Sequence, residues 1–209
     1  MKKTLIALVA VMLLAGCGNG RQQDGCCDAQ EAVINNIMSR KSVRSFTGQK
    51  ITEAQIETLM KAAMAAPSAI NIQPWHFVVI TDDSLLSSIY AGDPQAEMFT
   101  SAGTVIIVCG QTKNIRRNPD GEESERENPF WFEDCAAATE NLLLAAESMG
   151  LGAVWTAAYP MEGRMNRYVE ALGLPEGVLP FCAVPVGYPS GNDQPKDKWK
   201  PEKIHRNHW

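Results

Sequence analysis

The segment from Phe130 to Met149 carries alanine and leucine around every side of a helical pattern, and Gly150 and Gly152 follow directly. A helix that is apolar all round has no face to give to water, so it belongs inside a layered domain. Thr104 to Gly110 has the matching property in extended form: it is almost continuously apolar, as expected of a strand covered on both faces. Other periodic segments surround these two. Ala29 to Ser39 places Ala32, Val33, Ile37 and Met38 at helical spacing. Thr52, with Gln55 three residues on, predicts a capped helix start; the stripe Ile56, Leu59, Met60 and Ala63 follows, and Pro67 ends it. His76–Thr81, Ala153–Ala158 and Phe181–Gly187 read as strands, with helices predicted near Ser84–Tyr90 and around Glu162–Leu172. Strands alternating with helices define an α+β or α/β layered domain around a mixed sheet.

With 45% hydrophobic and 21% charged residues, the chain has material for one full core, read here as a single domain over residues 29–209. A net charge of −5 argues against a general nucleic-acid binder, which needs a basic face. Lys113 to Asn128 is polar, with Asn118-Pro119-Asp120-Gly121 as turn chemistry and four glutamates after it, and reads as a mobile surface loop. The tail from Pro189 ends in Ile204, His205 and Trp209, an anchor expected to pack against something. Cys109, Cys135 and Cys182 sit in apolar segments as core thiols. The cysteine and histidine spacing supports no zinc site. No G-x-G-x-x-G follows a strand, so any nucleotide is bound by other means than a Rossmann turn.

The first residues stand apart. Lys2 and Lys3 precede an apolar run from Leu5 to Leu14, and Leu14-Ala15-Gly16-Cys17 closes it, which resembles the lipobox of bacterial lipoproteins. That resemblance implies a signal peptide over residues 1–16, lipidation of Cys17 and a tether over residues 17–28. The protein is then expected in the bacterial cell envelope, held to a membrane by its lipid anchor only. Cys26-Cys27 in the tether leaves a vicinal disulfide or an intermolecular bridge open.

Two further stretches carry chemistry. In Arg40-Lys41-Ser42-Val43-Arg44 an extended backbone puts Arg40, Ser42 and Arg44 on one face, a donor set suited to a phosphate dianion; a solvated polar edge strand accounts for the pattern equally simply. In Pro67-Ser68-Ala69-Ile70-Asn71-Ile72-Gln73-Pro74-Trp75, two prolines fix a loop between helix and strand. Its small residues permit close approach, and Asn71 and Gln73 each offer a donor and an acceptor to a uracil-like ring edge. A rigid turn with Trp75 in the core is the alternative.

R-K-S-V-R-S-F, A-P-S-A-I-N-I-Q-P-W-H-F and the later G-L-G-A-V-W-T-A at Gly150–Ala157 occur together, in order, as in the nitroreductase family of flavoenzymes, which the chain resembles from about Val33 onward. The resemblance implies a three-layer α/β/α fold with a central mixed, mainly antiparallel sheet, in an intertwined homodimer with FMN at the interface. It implies that Arg40 and Ser42 contact the FMN phosphate and that Arg44 approaches the flavin pyrimidine. It also implies that Pro67, Ser68 and Ala69 come from the partner subunit and that Asn71 binds the ring edge. Pro160-Met161-Glu162-Gly163 looks like the family's P-x-E-G segment, whose backbone N–H groups reach the flavin near N5. Lys198 and Lys200 fall where the family places a basic residue on the phosphate, and which of the two reaches it stays open beside a solvated tail. Trp131 and Phe132 are read as flanking a substrate cavity or as dimer core.

The chemistry then lies on the flavin and needs no side-chain nucleophile. The implied activity is reduction of nitroaromatics, quinones or related electrophiles with NAD(P)H. Export as a lipoprotein would leave another envelope redox protein as alternative donor, and an envelope electron relay as the alternative function.

Overall fold

The computed structural model describes residues 24–209. The lipobox with Cys17 lies outside them. Helix α1 spans Asp24–Ser39, so the helix begins within the segment expected as tether. No helix among the described residues is long and apolar enough to cross a membrane.

Helix α2, Glu53–Met64, starts on the expected capping box: the Gln55 N–H donates to Thr52 Oγ1 (3.2 Å) and the Thr52 N–H to Gln55 Oε1 (2.8 Å). Strand β1 (Trp75–Ile80), helix α3 (Asp83–Ile89), helix α4 (Ala96–Ala102) and strand β2 (Val105–Gln111) follow. Helix α4, which the sequence reading left unassigned, has no side-chain cap and ends at Gly103. Next come strands β3 (Lys113–Arg117) and β4 (Glu123–Glu127), then helix α5 (Trp131–Ser148). Two short strands, β5 (Gly152–Ala153) and β6 (Thr156–Ala157), stand where one was expected; helix α6 (Glu162–Leu172) and strand β7 (Val178–Gly187) complete the order.

The main sheet runs β1-β2-β7-β5, with β6 also on β7, and these pairings are antiparallel. Period-two alternation along β2 feeds two cores. Ile106 and Val108 pack with Ile56, Leu59, Cys135, Ala138 and Leu142 from α2 and α5. Val105, Ile107 and Cys109 pack with Leu86, Tyr90, Phe99 and Tyr168 from α3, α4 and α6. Helices thus cover both faces, as the apolar β2 run demanded, and each fully buried aliphatic side chain contributes roughly 1.5–3 kcal/mol. Helix α5 is the buried helix of the sequence reading. Gly110 lets it approach the sheet: a Cβ there would stand 2.5 Å from Trp131 Cε3 and 2.8 Å from Cys135 Sγ. The three thiols are buried and free, and desolvation pushes those of Cys109 and Cys182 up to about 12.

Residues 113–127 do not form the loop expected from their polarity. They form an antiparallel hairpin, in register from Lys113↔Glu127 to Arg117↔Glu123. Cross-strand charges join it, with Lys113–Glu125 at 2.9 Å and Arg117–Glu123 at 2.6 Å.

Candidate functional site

The basic segment is extended, as its alternation requires. Val43 points inward, 2% exposed, and its N–H donates to the Ala153 carbonyl at 3.0 Å. Gly152 permits this contact, because a Cβ there would lie 2.5 Å from Val43 Cγ1. Phe46 is bridged to Pro189, which ties the far end of the segment to the start of the C-terminal tail.

Arg40, Lys41, Ser42 and Arg44 line one cavity of about 230 Å³ with Asp193, Gln194, Lys196 and Lys198. Arg40 spends Nε on Glu140 of α5 at 3.0 Å, which leaves its terminal nitrogens as donors. Lys41 points its ammonium at both carboxylate oxygens of Glu147, at 3.1 and 3.4 Å, so it serves as a tie to α5. Asp193 Oδ2 accepts from the Arg44 backbone N–H at 3.4 Å. Lys198 lines this cavity, whereas Lys200 precedes the short turn Pro201–Lys203 and does not. Lys196, Asp193 and Gln194 were missed by the sequence reading, since nothing in a polar tail distinguishes them.

Arg44 also lines a second cavity, of about 330 Å³, with Ser45, Pro94, Gln95, Glu97 and Ser190. Pro94 and Gln95 in turn line a third, of about 570 Å³, with Asp93, Thr156, Ala157, Arg164, Arg167 and Tyr168. The shared residues make one groove, cationic at one end and mixed in charge at the other. Arg164 donates to the Ala157 carbonyl at 3.0 Å. Arg167 is paired with Asp93 at 2.6 Å. Burial opposes the ionised form of Asp93, but the Arg167 hydrogen bond and the Gln95 backbone N–H outweigh it and hold the carboxyl below its ordinary range.

The proline-framed loop stands elsewhere. Ala69 N–H donates to Asp134 Oδ1 near the start of α5 at 2.9 Å, and Gln73 N–H to Ser68 Oγ at 3.0 Å. Ile70, Asn71 and Gln73 have φ of 44°, 60° and 54°, left-handed conformations costly for residues other than glycine, with Ile72 between them right-handed. Gln73 Nε2 donates to Asn71 Oδ1 at 2.9 Å, and Trp75 is buried beyond Pro74. At 3.6 residues per turn, Asp134 lies roughly 120° around α5 from Glu140, which binds Arg40. The two signature segments therefore grip different sides of the same helix, and Pro67, Ser68, Ala69, Asn71 and Gln73 do not line the groove of their own chain.

Pro160, Met161, Glu162 and Gly163 lead into α6, with Met161 at its N-cap and 40% exposed. Trp131 is core: it is 6% exposed, with its ring 4.8 Å from that of Tyr159. Phe132, 36% exposed, stacks on Tyr159 at 5.9 Å. The apolar face of α1 is uncovered, with Val33 60%, Ile34 52% and Met38 71% exposed, and so are Trp199 and Trp209 of the tail.

This layered sheet, with its groove and outward loop, has counterparts of known class. A model described as the nitroreductase family matches residues 37–92 and 90–188, and the chain belongs to that family. It is similar to an Archaeoglobus fulgidus protein provisionally named NADH dehydrogenase/NAD(P)H nitroreductase, 38% identical over 182 residues that cover 86% of this chain and 99% of that one. It is also similar to the FMN reductase (NADPH) of Bacillus subtilis, 30% identical over 168 residues, 75% of this chain and 66% of that one. Among solved structures, a Bacteroides thetaiotaomicron protein with the same provisional name as the Archaeoglobus one matches with a TM-score of 0.76. The two are 44% identical, over 85% of this chain and 98% of that one.

Proposed function

We propose that the protein is an FMN-dependent oxidoreductase that takes electrons from a reduced nicotinamide and passes them to a nitroaromatic, quinone or related electrophile, with each FMN held between two copies of the chain. Family membership and the FMN- and NAD(P)H-named relatives support the cofactor and the donor. The observation that carries the reading is the groove, whose cationic end opens through Arg44 toward Pro94, Gln95 and Thr156. Its donor set fits the group: guanidinium, ammonium and hydroxyl suit a phosphate dianion, and the far end offers mixed polar partners to a heterocycle.

FMN, when bound, supplies the redox chemistry by accepting a hydride equivalent and returning two electrons. The chain supplies position and charge. Arg40, Ser42 and Lys198 hold the phosphate, with Glu140 keeping the Arg40 guanidinium in place. Arg44, which lines both cavities, would set a cation toward the pyrimidine edge of a bound FMN and so favour its reduced, more negative state. The backbone of Pro160–Gly163, which lines none of the three cavities, would reach the ring from the start of α6, a role that rests on the family's P-x-E-G pattern. Pro67, Ser68, Ala69, Asn71 and Gln73 close the site from the partner, a role supported by their distance around α5 from Arg40. The bare faces of α1 and of Trp199 and Trp209 support an intertwined homodimer, since a monomer would leave them in water. Attachment to the cell envelope through Cys17 rests on the lipobox pattern of the N-terminal sequence.

Anaerobic stopped-flow mixing of the FMN-loaded protein with NADH or NADPH tests the activity. Rapid bleaching of the flavin absorbance, reversed by a nitro compound or quinone, is expected. Binding of FMN without reduction by either nicotinamide would favour an electron relay instead, and failure to bind FMN would overturn both.

A further inference from the structure

The β3–β4 hairpin segregates its charges by face. Lys113, Ile115 and Arg117 share one face with Glu123, Glu125 and Glu127, and there both cations are paired with a carboxylate. The other face carries Asn114, Arg116, Ser124 and Arg126, two guanidiniums with no acid. Arg116 forms no ion pair among the described residues. β3 is paired only on its β4 side, and residues 114–117 along it wall a cavity of about 540 Å³. Ile70, Ile72 and Gln111 form the opposite wall.

Two properties of this cavity point to a ligand. Ile70 and Ile115 face it while 72% and 69% exposed, an apolar surface left in water unless something covers it. The lining contains two arginines and no carboxylate. Arg117 is already engaged by Glu123, so Arg116 is the cation left for a ligand.

We propose that this cavity receives the electron acceptor and selects a planar, aromatic one carrying a carboxylate. Ile70, Ile72 and Ile115 clasp the ring, and Arg116 binds the anion through charge-assisted hydrogen bonds. The inference rests on the reading above, in which the Pro67–Gln73 loop reaches the partner's FMN, so that a cavity walled by Ile70 and Ile72 opens beside that ring. For a nitro group, reduction to the nitroso stage takes two electrons and two protons from the reduced cofactor and medium and releases one water.

The test uses the FMN-loaded full chain, photoreduced without a nicotinamide, and mixed anaerobically with 4-nitrobenzoate or 4-nitrobenzamide. Wild type is expected to be reoxidised faster by the carboxylate, with second-order constants differing by about tenfold, the scale of one charge-assisted pair. Arg116→Ala should bring the ratio near one, and Arg116→Lys should keep part of it. Calorimetric titration of the oxidised, FMN-loaded protein with benzoate should show binding that Arg116→Ala abolishes. An unchanged ratio in Arg116→Ala, or benzoate binding that survives it, overturns the proposal. Equal rates for both compounds with wild type overturn the anion pocket while leaving the oxidoreductase reading intact, whereas no reoxidation by either overturns both.

Discussion

Arg40–Phe46 is fastened along its length, with Val43 buried against Gly152, Arg40 and Lys41 tied to α5 and Phe46 bridged to Pro189. Pro67–Gln73 is held to α5 through Ala69 and carries Ile70, Asn71 and Gln73 in left-handed backbone, with Ile70 turned out to solvent. One segment lines the cationic cavity of its own chain; the other lines no part of that groove and faces outward beside the β3 edge. Strained backbone persists only where surroundings or function require it. The contrast teaches that two motifs neighbouring in sequence can face different sides of one helix, and in the proposed reading that difference divides the site between two molecules.

Removing charge from the fastened segment should have the largest effect. Arg40→Ala deletes charged donors from the cavity and leaves Glu140 unpaired, a loss of about 1.5–3 kcal/mol, or roughly ten- to hundredfold in FMN affinity by fluorescence titration. Lys41→Ala, whose ammonium is on Glu147, should weaken FMN far less; an equal loss would mean that the ammonium leaves Glu147 for the ligand. Crowding the support beneath that segment comes next. Gly152→Ala drives a Cβ into Val43 and should cost about 1–3 kcal/mol, read as a lower urea midpoint. An unchanged midpoint would mean that the segment yields easily and is not preorganised. Smallest is the outward loop: Asp134→Ala removes the acceptor for Ala69 N–H and should cost about 1 kcal/mol. Hydrogen exchange at the Ala69 amide should accelerate while exchange at Val43 stays the same; acceleration at both would tie the two regions together.

What the sequence disclosed followed from how local each signal was. The Thr52–Gln55 cap, the doubly covered β2 and the Ala- and Leu-rich α5 were readable because each pattern has one physical solution. The β3–β4 hairpin was not, since K-N-I-R-R and E-S-E-R-E alternate charge with charge and bury no apolar face. Its pairing rests on cross-strand ion pairs, which periodicity of hydrophobicity does not register. Helix α4 escaped because its seven residues lack a side-chain cap. At the site, Arg40, Ser42 and Arg44 were legible from alternation. Pro94, Gln95, Asp193 and Lys196 reach the groove only through tertiary folding, so no spacing along the chain announces them. Lys41 lines the same cavity as its neighbours, and what sets it apart is the Glu147 carboxylate that holds its ammonium, a partner 106 residues away.

The division of the site between copies is tested most directly by subunit complementation. Arg40→Ala and Asn71→Ala homodimers each carry a defect in both sites. If Arg40 and Asn71 meet across the interface, a mixed dimer of the two variants contains one intact site and one doubly defective site. FMN titration of purified mixed dimers should then show half of the sites binding with wild-type affinity. Mixed dimers with no wild-type-affinity site would place both residues in one chain's site and contradict the account.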